Sequence, residues 1–455
     1  MLYEFYWKGD FVKLLHFKAQ GVHGYLDFDV DFRPDVNFFA GLNGSGKTSA
    51  LDLIMALLTP SVDKLLEMRF STASLVVQKP KETIWITCTK IDDVTRIDVR
   101  NEHELLGLEE ISDDERHYAH RRGRTVGIDR KSDAIRAIQR LASPMFLSLD
   151  RRFVKSSRDE EYPVFVDDNM IHRSIRKRGI KDESLDEIVD IVAEASAEAR
   201  GRQSSADNKL RNDIILDSLS FAEMIGEARF PDNHTLHQLR HKQNAIKKTF
   251  DNLDVPSDEF EIKYNEFFDK LENLVRRFEK MEEDNRNKRD IELDETTNKI
   301  MSDWFVNQHQ LKRIDRLFSK VETYQSEKNR IYARLSRFEM LVNKFLNETG
   351  KHVRISNKGR LSVMFSGGER DLSVLSSGER QIIIMLAHLV LNKRLRKDGV
   401  FIVDEPELSL HISWQDMFVD AIREAGPNLQ IILATHSPSI IGGRNHMYVP
   451  LSKGM

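Results

Sequence analysis

One stretch near the start of this chain and two near its end constrain its fold more than anything between them. The first is "VNFFAGLNGSGKTSALDLIMALL". Val36 to Ala40 form an apolar run that reads as a buried strand, and a leucine-, isoleucine- and alanine-rich run with helical spacing follows. Between them lies Gly41-Leu42-Asn43-Gly44-Ser45-Gly46-Lys47-Thr48, a complete G-x-x-x-x-G-K-[ST]. In that order, the glycines let backbone N–H groups curl around phosphate oxygens, and the helix N-terminus adds its partial positive charge. Lys47 would reach the β and γ phosphates of ATP and Thr48 would ligate Mg²⁺, with Asn43, Gly44, Ser45, Gly46 and Ser49 completing the nucleotide-binding set. The second stretch, "GVFIVDEPELSLH", is a buried strand ending in Asp404 and Glu405. An acid at that edge can hold Mg²⁺, and the next can polarise an attacking water. The third, "LQIILATHSPSII", is another buried strand, ending in Thr435-His436-Ser437, where His436 can sense the γ-phosphate. The fold class expected is therefore α/β, a P-loop head assembled from N- and C-terminal lobes.

A phrase repeated in "FSGGERDLSVLSSGERQIII" raises a separate question. The second copy, around Ser376, Gly378 and Glu379, runs straight into an apolar helix, so its serine, glycine and helix N-terminus together form a phosphate-facing surface. The first copy, Ser366-Gly367-Gly368-Glu369, lies between two short β-like runs and reads as a hairpin turn.

GLNGSGKT, LSSGERQ, VDEPELSLH and ATHSP, in this order, resemble the ATP-binding-cassette ATPases of the SMC and double-strand-break-repair type, and among them the bacterial OLD-like branch. The resemblance covers roughly 1–150 and 350–455, and the middle is similar only in being a helical insertion. It implies that Ser376, Gly378 and Glu379 act in trans, closing over ATP held by another subunit in a head-to-head homodimer or higher homo-oligomer. It assigns Glu405 as general base and His436 as switch. Two departures narrow it. The chain stops at Met455, with no room for the Toprim nuclease domain of OLD proteins, and its one cysteine excludes a CxxC zinc hook. What remains is similar to stand-alone antiphage defence ATPases, such as the PtuA component of Septu and retron systems or the AriA component of PARIS. Those work with a separately encoded effector, an HNH or Toprim nuclease. A chromosome-maintenance or DNA-repair ATPase and an ATP-binding scaffold that sequesters an effector stay open as alternatives.

The rest of the sequence fits such a head. No stretch approaches the ~20 apolar residues of a membrane span, and with Cys88 alone no intrachain disulfide forms, which points to the cytoplasm. Leu26, Phe28, Val30 and Phe32 alternate with Asp27, Asp29 and Asp31 as a strand with one acidic face, and Leu75–Gln78, Thr83–Thr89 and Arg96–Arg100 continue as strands. Gln78 reads either as a loop glutamine sensing Mg²⁺ and water or as a solvated strand end. From Glu183 the chain reads helical. Tyr264, Phe267, Leu271, Leu274, Phe278 and Met281 form one seam; Ile314, Phe318 and Val321 begin another, which Gln325 and Lys328 interrupt and Leu335, Phe338, Val342 and Phe345 resume. Either an antiparallel arm with its tip near 284–297 or a compact bundle would satisfy them. The domains expected are 1–180, 181–349 and 350–455. With a net charge of −4 the molecule is no polycation, so nucleic acid would have to be met by a local patch. The Arg-rich 116–158 region (Arg116, Arg121, Arg122, Arg124, Arg130, Lys131, Arg136, Arg140, Arg151, Arg152, Lys155, Arg158) reads as such a patch, as a docking surface for an acidic partner, or as a solvated helix face. The His117/His120 pair and Asp167-Asp168 match no metal-ligand spacing.

Overall fold

A computed structural model of the chain describes residues 12–39, 44–59, 62–92, 94–112, 132–139, 141, 145–147, 153–154, 183–219, 231, 234–253, 258–285, 295–392, 399–408 and 410–451. Asn43, the His117/His120 pair, Asp167-Asp168, the expected arm tip beyond Asn285 and, apart from Arg136, the basic residues named between 116 and 158 lie outside the described residues. Two compact units divide the chain: 1–195 together with 335–455, and 196–334.

The elements follow in order: β1 (Lys13–Val22), β2 (Leu26–Asp31), β3 (Val36–Phe39), α1 (Lys47–Leu58), α2 (Val62–Glu67), β4 (Thr72–Gln78), β5 (Thr83–Ile91), β6 (Val94–Asn101), β7 (Leu105–Ser112), α3 (Asp133–Gln139), β8 (Met145–Leu147) and β9 (Phe153–Val154). Four helices come next: α4 (Glu183–Ser218), α5 (Thr235–Asn252), α6 (Asp258–Asn285) and α7 (Glu295–Leu346). The chain then returns through β10 (His352–Ile355), β11 (Leu361–Phe365), β12 (Gly368–Arg370), α8 (Ser377–Leu391), β13 (Val400–Asp404), α9 (Ile412–Ala425), β14 (Gln430–Ala434) and α10 (Pro438–Ile441).

The first unit is α/β and joins both chain ends in one sheet of order β3-β14-β13-β8-β9. β3, β14, β13 and β8 run parallel. Every residue of VNFF, VFIVD and QIILA is buried. A parallel sheet covered on both faces demands such unbroken apolar strands, and for that reason they are legible without alternation. Register puts Phe39, Ala434 and Asp404 side by side, so the loops after β3, β13 and β14 leave the same sheet edge. The second sheet, β2-β1-β4-β5-β6-β7, is antiparallel throughout. In β2, Phe28 and Val30 are buried while Asp27 and Asp31 are exposed, as alternation requires of a half-buried strand. α1 is buried on nearly all sides and shares one core with Phe17, Leu75 and Ile86 of this sheet and Ile402 and Ile432 of the parallel one. Fully burying each such side chain stabilises by about 2 kcal/mol before entropy is counted. Buried Gln430 ties the chain ends together: its Oε1 accepts from the Leu14 N–H at 2.7 Å, and its Nε2 donates to the carbonyls of Leu14 (2.9 Å) and Arg33 (2.7 Å). Cys88 is buried in β5, and burial pushes its thiol up to about 12, so it is an inert core residue.

The second unit is helical, but its core is not one two-helix seam. Leu210 of α4, Leu239, Ile246 and Phe250 of α5, Tyr264, Phe268 and Leu271 of α6, and Ile314, Val321 and Tyr324 of α7 form a single cluster. The contribution of α5 is hidden in the sequence by its lysines and histidines, and the lysines ion-pair across helices: Lys247 with Glu261 at 2.5 Å, Lys242 with Asp315 at 2.6 Å. Polar Gln325, which breaks the α7 seam, donates to Thr249 Oγ1 of α5 at 2.8 Å. The break is a cross-link to a third helix.

Candidate functional site

Gly46 of the phosphate loop is required by geometry. Gly46 has φ +86°, and a Cβ there would lie 2.8 Å from Leu26 Cδ1 and from Phe28 Cζ of β2. Only glycine fits both the left-handed backbone and the contact. α1 begins at the next residue, so Lys47, Thr48 and Ser49 form its first turn. Lys47 is 6% exposed. Burial lowers its ammonium below the usual lysine range, opposed by the charges of Glu405, Asp404 and Glu407. A cation held among three carboxylates at a helix N-terminus forms one electrostatic unit.

Asp404 ends β13 and is 4% exposed. Burial pushes its carboxyl up to about 6, with Glu405 and Asp52 adding to the rise and a Thr48 hydrogen bond and the Lys47 charge opposing it. Its Oδ1 is buried with no hydrogen-bond partner, and so is Ser45 Oγ. Orphaned buried oxygens are rare in native proteins. Asp404 takes a Thr48 hydrogen bond and feels the Lys47 charge, and Ser45 stands two residues before Lys47 in the loop, a donor set that fits Mg²⁺ at Thr48 and Asp404 and a phosphate chain along the loop.

Glu405 has φ +46°, one of three left-handed non-glycine residues among those described. That conformation costs on the order of 1 kcal/mol and persists only where the surroundings impose it. The surroundings here are the parallel sheet: the Glu405 N–H donates to Ala434 O at 2.8 Å. The Glu405 carboxylate lies 3.9 Å from His436 Nε2, both side chains partly exposed. Glu407, which the sequence did not single out, joins this pair. Its Oε2 accepts from Thr435 Oγ1 at 2.8 Å and its Oε1 from the His436 N–H at 2.6 Å. The only signal for it was a third acid in "DEPE", and nothing in the order of residues says which backbone it meets.

Ser376 is exposed and caps α8: its hydroxyl accepts from the Glu379 N–H at 3.3 Å, while Glu379 Oε2 accepts from the Ser376 N–H at 2.6 Å. This is a capping box. Gly378 sits half-buried in the first turn. Glu379 is 2% exposed and also holds Lys351 Nζ (2.9 and 3.1 Å) and Thr349 Oγ1 (3.1 Å). The three signature residues therefore separate: Ser376 faces outward, whereas Glu379 faces its own helix end and shapes the loop from within. The Glu379 carboxylate is thus engaged by partners within its own chain. Gln78 is similarly occupied. Its Nε2 donates to Lys79 O at 2.7 Å and its Oε1 accepts from Thr83 Oγ1 at 3.2 Å, closing the β4–β5 turn.

Among the described residues no helix is long and apolar enough to cross a membrane, and no cluster of three or more histidine, cysteine or acidic side chains could hold a metal ion by itself. The chain is 26% identical to the retron Vc95 probable ATPase of Vibrio cholerae over 220 residues, 44% of this chain and 39% of that protein. It is 26% identical to the Septu protein PtuA of Bacillus thuringiensis over 164 residues, 33% of this chain and 39% of that one. The matches thus span under two fifths of the length of these relatives. Among solved structures, the Smc head domain of Pyrococcus furiosus with an extended coiled coil, bound to the C-terminal domain of ScpA, aligns over 94% of this chain and 91% of that chain, at 12% identity and a TM-score of 0.38. A model of the AAA ATPase domain family (AAA_15) matches residues 20–441, and the chain belongs to that family.

Proposed function

We propose that this chain binds and hydrolyses Mg²⁺–ATP and is the sensor ATPase of an antiphage defence system, controlling a separately encoded nuclease or toxin. The observation that carries the ATPase reading is the shared sheet edge. Register alone brings the phosphate loop, the Asp404-Glu405 pair and His436 together from opposite ends of the chain. Lys47 and the first turn of α1 bind the phosphates, and Mg²⁺ held at Thr48 and Asp404 supplies positive charge against them. Glu405 takes the proton of the attacking water, and His436, beside it, reports on the γ-phosphate. Exposed Ser376 at the N-terminus of α8 supports closure over a second copy's nucleotide. The defence role is supported by the names of the relatives, a retron ATPase and a Septu protein.

The test is Glu405→Gln beside Lys47→Ala. Glu405→Gln should retain ATP in calorimetry, lose about 10²–10⁴ in hydrolysis rate and raise the dimer population with ATP. Lys47→Ala should not bind ATP. Normal hydrolysis in Glu405→Gln would refute the general base, and undiminished affinity in Lys47→Ala would refute the phosphate loop. For the defence role, wild type co-expressed with its neighbouring effector gene should restrict phage and Glu405→Gln should not. Equal restriction by both, or by neither, refutes it.

A further inference from the structure

We infer that Glu407 is a positioning residue for His436, resting on the reading that this site hydrolyses ATP. Glu407 is half-buried, and both oxygens of its carboxylate are taken up by the turn after β14. One oxygen accepts from the Thr435 hydroxyl at 2.8 Å and the other from the His436 N–H at 2.6 Å. Thr435 is 1% exposed, so its hydroxyl has no water to fall back on. Its oxygen also accepts from the Ser437 N–H at 3.0 Å. On the far side, Ser437 Oγ donates to Gln415 Oε1 at 2.5 Å, and Gln415 Nε2 donates to Leu410 O at 3.1 Å. The turn 435–437 is thus gripped from both flanks by side chains of the segment that follows β13.

This grip has a direct consequence for the imidazole. Nothing in β14 fixes the peptide after its last residue, because the sheet bond ends with Thr435 N–H on Phe39 O at 3.2 Å. The next N–H is that of His436 itself, and Glu407 holds it. Glu405 precedes Glu407 by two residues and is pinned to Ala434 O. The Asp404–Glu407 segment and the histidine turn therefore share hydrogen bonds in both directions and set the 3.9 Å spacing of Glu405 and His436. A charge-assisted bond to a backbone N–H is strong enough to fix a peptide plane, and a misplacement of about 1 Å in such a site can lower rate ~10²-fold.

Glu407 also contributes charge near Lys47, so a role in nucleotide binding is the rival explanation. The two differ in kinetics. Acting through His436, Glu407→Ala lowers kcat about 10- to 100-fold with little change in the KM or Kd for Mg²⁺–ATP. Glu407→Gln, whose amide oxygen can still accept from the His436 N–H while its nitrogen donates to Thr435, restores kcat to within a few-fold of wild type. In a His436→Ala background, Glu407→Ala adds no further loss, because the group it positions is gone. Unchanged kcat in Glu407→Ala, a loss confined to Kd, no rescue by glutamine, or the full loss repeated on His436→Ala each overturns the inference. Should Glu407→Ala fail to fold, Glu407→Gln carries the test in the same cycle: any loss it shows must vanish on His436→Ala, and a loss that persists there overturns the inference. A wild-type chain without ATPase activity refutes the underlying reading, whereas an active wild type with any of these outcomes refutes Glu407 alone.

Discussion

In Ser366-Gly367-Gly368-Glu369-Arg370 the glutamate stands exposed on a hairpin strand, and in Ser376-Ser377-Gly378-Glu379-Arg380 it is 2% exposed in the first turn of a helix. The first copy makes a two-residue turn at Ser366-Gly367, with Phe365 paired to Gly368 and Gly368 at φ +96°. The second makes a capping box, with no left-handed residue in it. Nearly the same letters differ because of their neighbours. Leu361–Phe365 offers the first copy a strand to pair with, while Ile382 to Leu391, all but fully buried, give the second a helix to start. A capping box exists only where a helix follows it, so the glutamate that closes the box in one copy has nothing to close in the other.

The comparison breaks first on hydrolysis. Gly378→Asp puts a negative charge where a second copy's γ-phosphate is proposed to sit, so turnover should fall at least ~10²-fold while ATP binding persists. Gly368→Asp should hydrolyse normally per folded molecule. Mixing Gly378→Asp with Lys47→Ala subunits should restore part of the activity through one composite site per dimer. Turnover assays on each variant and the mixture check this, and the reverse pattern would mean that the hairpin copy is the working one.

Stability separates the copies next. Glu379→Ala removes a cap and leaves Lys351 without its carboxylate, an expected loss of about 3 kcal/mol. Glu369→Ala should stay within about 0.5 kcal/mol, as exposed positions do. Urea midpoints decide it, and equal losses would erase the contrast.

Acid should act on the second copy. Burial by itself would raise the Glu379 carboxyl, but hydrogen bonds from Lys351, the Ser376 N–H and Thr349, with the Lys351 charge, hold it below the ordinary carboxylate range. A depressed folded value means that its contribution is fully present above the unfolded value of about 4.3 and is lost as pH falls through the folded one. Stability of the wild type should therefore drop below pH ~4 more steeply than that of Glu379→Gln. Parallel pH–stability curves would contradict the buried pairing.

The smallest effect belongs to the turn. Gly368→Ala meets no atom within 4 Å, so only its left-handed backbone penalises it, by about 1 kcal/mol. A loss much above that would indicate a contact in the hairpin that the fold does not contain.

Sequence order alone was enough for the strand–loop–helix around Lys47, for the wholly buried runs of β3, β13 and β14, for the alternation of β2 and for the hairpin at Ser366, since each depends on the residues beside it. It pointed to candidate site residues at the strand ends for the same reason: in a parallel sheet these ends are marked by where apolar runs stop. What it left undecided needed distant partners. The four-helix core hid in α5, whose apolar stripe is sparse and whose cations find their carboxylates on α6 and α7. Glu379 turned inward because Lys351 and Thr349, about 30 residues away, converge on it. Glu407 took on meaning only once β13 and β14 lay in register and set its carboxylate against the His436 N–H. A hydrogen bond depends on where donor and acceptor meet in space, and for these groups only the packed sheet and helices decided that.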